Sequence, residues 1–174
     1  MGMGNQEKEK EVMAQPKYEY LSHKDMDAYY ADVCRQMHSA QYRPDVIVAL
    51  GRGGLDFGVK LSNWFDDVPM VPVMWQTRDG QVRDEYVLRE ILRACSEQNS
   101  QILVVDDMND TGETLLQIEA AIKNVLGEQA PVDWAVAIEN VESDFETTWC
   151  SREISRSLEP QWFVFPWENW WMKQ

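Results

Sequence analysis

A chain of 174 residues with 44% hydrophobic side chains is long enough to bury a core without a metal or disulfide framework. Its 16 Lys and Arg against 30 Asp and Glu leave a net charge of −14, and a surface that acidic repels nucleic-acid backbones and anionic membranes. Cys34, Cys95 and Cys150 are scattered without a CxxC pair, His23 and His38 are too few for a histidine-based metal site, and no apolar run reaches membrane-spanning length. Neither nucleic acid nor membrane is therefore expected as a partner. With no signal-peptide core at the N-terminus, a cytoplasmic location is expected.

Residues 1–15 are polar and patternless and read as a disordered tail, leaving 16–174 as one domain. Ser22 followed by Asp25 has the form of a helix start, and Met26, Tyr29, Tyr30, Val33 and Met37 then recur at helical spacing. After Pro44-Asp45, the apolar run Val46 to Leu50 fits a strand buried on both faces of a parallel sheet. Gly51-Arg52-Gly53-Gly54 closes it, and Leu55 to Phe65 reads as a helix. Met70 to Trp75 is apolar again, with Pro69 and Pro72 placing it near a sheet edge.

Residues 77–81 are turn-rich, and Val82, Tyr86, Ile91 and Cys95 outline a charged helical segment. The clearest central strand is Gln101 to Val105. The stripe Leu115, Ile118, Ile122 and Val125 then reads as a helix ended by Gly127. Trp134 to Ile138 and Trp162 to Phe165 complete the strands. Alternating strand and helix indicate an α/β fold with a mainly parallel sheet.

The chemistry concentrates in Asp106 to Thr114, DDMNDTGET, just past the central strand. Ligands of open α/β sheets bind beyond the carboxyl ends of the strands. The turn Asp110-Thr111-Gly112-Glu113-Thr114 offers backbone amides and a helix N-terminus suited to a phosphate dianion. Asp106 and Asp107 fit the same ligand only if it also carries neutral hydroxyls and a divalent cation. A plainer reading of Asp110 as a helix cap is compatible with this one. Upstream, Arg52 among glycines lets a guanidinium and backbone amides meet a pyrophosphate together.

The run from Ile102 to Thr114 (four apolar residues, two acids, two variable positions, then DTG-x-T) resembles the donor loop of type I phosphoribosyltransferases. Ala49 to Leu55 is similar to that family's pyrophosphate loop. Trp162 to Glu168, WFVFPWE, looks like the end of its xanthine-guanine, purine-salvage branch. The resemblance implies the type I phosphoribosyltransferase fold, with a mainly parallel central sheet flanked by helices and a small hood built from the termini. It implies transfer of a 5-phosphoribosyl group from 5-phosphoribosyl 1-diphosphate to a purine base. Asp106 and Asp107 would contact the ribose hydroxyls and Mg²⁺, and Asp110, Thr111, Gly112, Glu113 and Thr114 the 5-phosphate. Gly51, Arg52, Gly53 and Arg78 would hold pyrophosphate. Asp110 and Arg52 would be the catalytic pair, and a cis peptide is expected between Gly51 and Arg52.

Trp162 would stack on the base, with Phe163 offering backbone contacts to its edge. Asn140 stands near the place where the xanthine-guanine branch keeps a lysine, and is the remaining base-binding candidate. For Trp167, Trp170 and Trp171, packing or a subunit contact is the preferred reading. Residues 76–100 are the candidate for a mobile loop closing over the donor. The resemblance also implies a homodimer or homotetramer. A regulator that binds the donor without turnover, and a family enzyme acting on a non-purine base, are the alternatives.

Overall fold

The structure, a computed structural model, describes residues 17–76, 83–168 and 171. The expected tail, Arg78, Val82 and Trp170 lie outside the described residues. Five parallel strands form the main sheet: β2 (Val46–Gly51), β3 (Met70–Met74), β4 (Ile102–Asn109), β5 (Val132–Asn140) and β6 (Trp149–Ile154), in the order β3-β2-β4-β5-β6. A separate pair, β1 (Tyr18–Tyr20) and β7 (Trp162–Val164), is also parallel and joins the two ends of the described chain. The helices are α1 (His23–Ser39), α2 (Gly54–Trp64), α3 (Glu85–Gln98) and α4 (Glu113–Leu126). Among the described residues no helix is long and apolar enough to cross a membrane.

Helices cover both faces, which is why β2 and β4 read as unbroken apolar runs rather than alternating ones. Ile47, Ala49, Leu103 and Val105 point toward α1 and α2, where Met26, Tyr30, Phe57 and Leu61 are buried with them. Val46, Val48, Ile102 and Val104 face the opposite core, built from Leu88, Leu92, Leu115 and Ile118 of α3 and α4. The chain leaves β2 for the edge strand β3, then crosses back to place β4 on the other side of β2. That reversal makes the gap between the ends of β2 and β4 the switch point, where open α/β sheets keep their ligands.

Several elements depart from expectation. The β4 strand runs four residues past Val105, because the Asn109 amide donates to Glu139 Oε1 (2.8 Å) and to the Phe145 carbonyl (2.6 Å), keeping it alongside β5. On α3 the buried stripe is Leu88, Leu92 and Cys95 rather than Val82, Tyr86, Ile91 and Cys95, because packing on α4 sets the phase, and Tyr86 is exposed. Most of the 76–100 stretch is thus a helix anchored in the core and not the mobile loop expected there. The expected edge position of β3 holds. Strands β1 and β6 carry too little apolar pattern to announce themselves.

At α1 the capping box is complete. The Ser22 hydroxyl accepts from the Asp25 amide (3.2 Å), and the Asp25 carboxylate accepts from the Ser22 amide (2.8 Å). Ser22→Ala is expected to cost about 1 kcal/mol. It should lower the urea midpoint and leave the slope of the unfolding transition unchanged.

Candidate active site

Two loops at the switch point touch through glycine. A Cβ on Gly53 would lie 2.1 Å from Asp107 Oδ2, and one on Gly54 would lie 2.3 Å from the Val105 carbonyl oxygen. No other residue type lets the loop after β2 settle against the end of β4. The peptide between Gly51 and Arg52 is cis, as the family resemblance implied. Arg52 is exposed on the cleft side and makes no ion pair with a described residue.

Asp106 and Asp107 stand side by side at this junction. The Asp107 amide donates to Asp106 Oδ1 (2.9 Å), and the Gly54 amide also faces the Asp106 carboxylate. Burial and the neighbouring Asp107 push the Asp106 carboxyl well above the usual carboxylate range. Burial, reinforced by the Glu168 carboxylate, pushes Asp107 up to about 7. No described cation pairs with either acid.

The turn into α4 follows. Gly112 takes φ = +87°, and a Cβ there would meet the Phe145 backbone nitrogen at 2.8 Å, so a side chain at this position is excluded on both counts. Gly112, and not Asp110, is the residue that precedes the helix, so the plainer reading of Asp110 as a cap gives way. Instead the Asp110 carboxylate receives a two-pronged bond from a residue that sequence reasoning passed over. Arg156 Nε donates to Oδ1 (2.7 Å) and Nη2 to Oδ2 (3.2 Å). Nothing local in the sequence marks Arg156, which lies 46 positions away. Asn140 is 5% exposed and stands behind this pair, outside the cleft lining. Its amide donates to the Asp110 carbonyl (2.7 Å), and its oxygen accepts from the Arg156 backbone amide (3.3 Å).

Over these loops lies the hood made by β1 and β7. Trp162 is 45% exposed and borders the cleft, whereas Phe163 is buried close to two guanidinium groups. Arg152 lies 5.0 Å and Arg156 5.2 Å from the Phe163 ring centre. Trp167 stacks on Phe165 at 5.1 Å and packs on the core, as preferred for it, while still reaching the rim; Trp171 is exposed beside the cleft.

The result is a cleft of about 1030 Å³. It brings together Gly51, Arg52, Gly53, Asp106, Asp107, Asp110, Thr111, Gly112, Glu113, Thr114, Trp162 and Phe163. Arg156, Glu168, Tyr18 and His23 join them without having been anticipated. Arg83 lies over the Trp75 ring at 5.7 Å and is not in the lining.

The family model of the phosphoribosyl transferase domain matches residues 18–169, nearly the whole described chain. The chain belongs to the phosphoribosyl transferase domain family. It is a transferase of pentosyl groups with the type I phosphoribosyltransferase fold. Solved structures agree on that fold. A purine phosphoribosyltransferase from Pyrococcus horikoshii Ot3 superposes with a TM-score of 0.63 at 21% identity, covering 87% of this chain and 95% of that one. The xanthine-guanine-hypoxanthine phosphoribosyltransferase of Helicobacter pylori gives 0.65 at 15% identity, covering 89% and 96%. A hypothetical protein from Neisseria gonorrhoeae with bound ppGpp gives 0.64 at 17% identity, covering 89% and 91%. No curated protein sequence matches significantly.

The paired acids of this phosphoribosyltransferase fit a divalent cation. Two adjacent carboxylates with raised proton affinity and no cationic partner would exchange a proton for a metal ion. The described residues contain no group of three or more ligating side chains, so the rest of the shell would be ligand and water oxygens.

A pH dependence follows from Asp107. Its folded carboxyl holds a proton up to about pH 7, against an ordinary value of 3.8. Between those values the folded state binds more protons than the unfolded, so the contribution to stability is full below the lower value and is lost as pH rises through the upper one. Asp107→Asn should flatten the fall in thermal midpoint between about pH 4 and 8. Equal slopes in the two proteins would contradict the assignment.

Proposed function

We propose that this protein transfers the 5-phosphoribosyl group from 5-phosphoribosyl 1-diphosphate to a purine base of the xanthine, guanine or hypoxanthine type, with Mg²⁺. The observation that carries the reading is the meeting, in one cleft at the switch point, of three segments that can each take one part of such a substrate set. The loop after β2 presents Arg52, with Gly51 and Gly53, to a pyrophosphate. The turn from Asp110 to Thr114 presents amides, hydroxyls and the start of α4 to the 5-phosphate. Trp162, with Phe163 after it in β7, offers the hood's aromatic face to a flat heterocycle. Arg78 belongs to the pyrophosphate contacts by resemblance alone. The purine and xanthine-guanine-hypoxanthine enzymes among the structural neighbours support a purine acceptor.

In the reaction the bond from ribose C1 to pyrophosphate oxygen breaks, and a bond from C1 to a base nitrogen forms. The pyrophosphate carries away the electron pair, and the base loses a proton. Arg52 stabilises charge as it develops on the leaving group, and Asp106 and Asp107 orient the ribose through its hydroxyls. Asp106 and Asp107 would hold Mg²⁺, which when bound would supply further neutralisation of the leaving charge. Asp110, pinned by Arg156, is the carboxylate placed to accept the base proton. The reaction requires that water be kept from the ribosyl centre, which it would otherwise capture.

Purified protein incubated with 5-phosphoribosyl 1-diphosphate, Mg²⁺ and a panel of bases should release pyrophosphate with a 6-oxopurine. Turnover with a non-purine alone would overturn the acceptor assignment, and donor binding without turnover on any base would favour the regulator. Asp110→Ala should lower kcat/KM by about 10²- to 10⁴-fold, the usual contribution of a positioned acid or base. Unchanged kcat/KM in that variant would remove Asp110 from the reaction.

A further inference from the structure

Arg156 uses every face of its guanidinium. Beyond the two bonds to Asp110, Nη1 donates to the Gln161 carbonyl, Nη2 lies 3.7 Å from Met108 Sδ, and the group sits beside the Phe163 ring. Gln161 immediately precedes β7, so one side chain bonds the donor loop at Asp110 and the hood at the residue before Trp162. The hood has no strand pairing to the five-stranded sheet. Its charged tie is Arg152, which bonds Glu19 of β1 (2.5 Å), Tyr29 of α1 (3.3 Å) and Glu159 (3.2 Å). That second arginine ties β6 to β1 of the hood and to Glu159. Arg156 joins Asp110 to the Gln161 carbonyl at the cleft.

We infer that Arg156 is a positioning residue for the acceptor: it locks the Asp110 carboxylate and the Trp162 segment at a fixed separation, so that a base can be held by both at once. Asn140 braces the lock from behind through the Asp110 carbonyl and the Arg156 amide. The inference rests on the donor-site reading above but concerns a different contact. The amides of residues 111–114, which follow Asp110 in the chain, belong to the backbone of the turn, whereas the guanidinium bonds the Asp110 carboxylate. A lysine cannot reproduce the fork, because an ammonium is a point charge without the paired N–H geometry.

Calorimetry with two probes separates the roles. Ribose 5-phosphate reports the donor turn, and inosine and guanosine 5′-monophosphates add a base to the same sugar phosphate. In Arg156→Gln the nucleotides should bind about tenfold or more weakly, while ribose 5-phosphate changes by less than about twofold, as when one partner of a hydrogen-bonded charge pair is removed. Arg156→Lys should recover part of the nucleotide affinity. The double variant with Asp110→Asn should lose less than the two single losses combined, because the residues act as one unit. Equal weakening of both probes, or full nucleotide affinity in Arg156→Gln, would overturn the inference while leaving the donor site standing. Failure of ribose 5-phosphate to bind the unaltered protein would overturn the donor-site reading and this inference with it.

Discussion

The close approach of Gly53 and Gly54 to the end of β4 governs the geometry of the site. With hydrogen in place of a methyl group at both positions, the loop after β2 lies directly against Asp107 and the Val105 carbonyl. The same contact takes water from the two acids and raises their proton affinity. Strand order multiplies its effect. Because β3 and β4 flank β2 on opposite sides, the connections diverge and a crevice forms between the ends of β2 and β4. The loop after β2 and the acid pair at the end of β4 are therefore in contact within the fold itself.

Above this junction the forces change character. The main sheet is held by two apolar layers, whereas the hood adds ion pairs and two arginines stacked about one phenylalanine. In a chain of net charge −14, Arg152 and Arg156 sit where acids from distant segments converge: Glu19, Asp110 and Glu159. Partly buried and forked, these pairs have directional strength that exposed surface pairs lack. Through Arg156 and Asp110 they tie the hood to the loop after β4 without continuous sheet.

The same division explains what could be read in advance. The strands β2, β4 and β5 and the helix stripes of α1 and α4 are local patterns, and the capping box at Ser22 and the stop at Gly127 are local chemistry. The donor loop was legible because its amides, acids and glycine act within nine consecutive residues. The phase of α3 was not, since Leu88 and Leu92 are chosen by the surface of α4 rather than by any pattern that excludes Tyr86. Neither β1 nor β6 was legible: one is three residues long, and the other is only partly buried.

By itself the sequence determined the α/β class, most of the main strands along the chain and the loops that meet in the cleft. Those features depend on spacing along the chain, and spacing is what a sequence records. Only the tertiary structure decided how the hood meets those loops. It turned Asn140 away from the cleft into a brace, freed Asp110 from capping, and brought Arg156 across 46 positions to meet it. A guanidinium and a carboxylate find each other through folding of the intervening chain, and no periodicity marks such a pair beforehand.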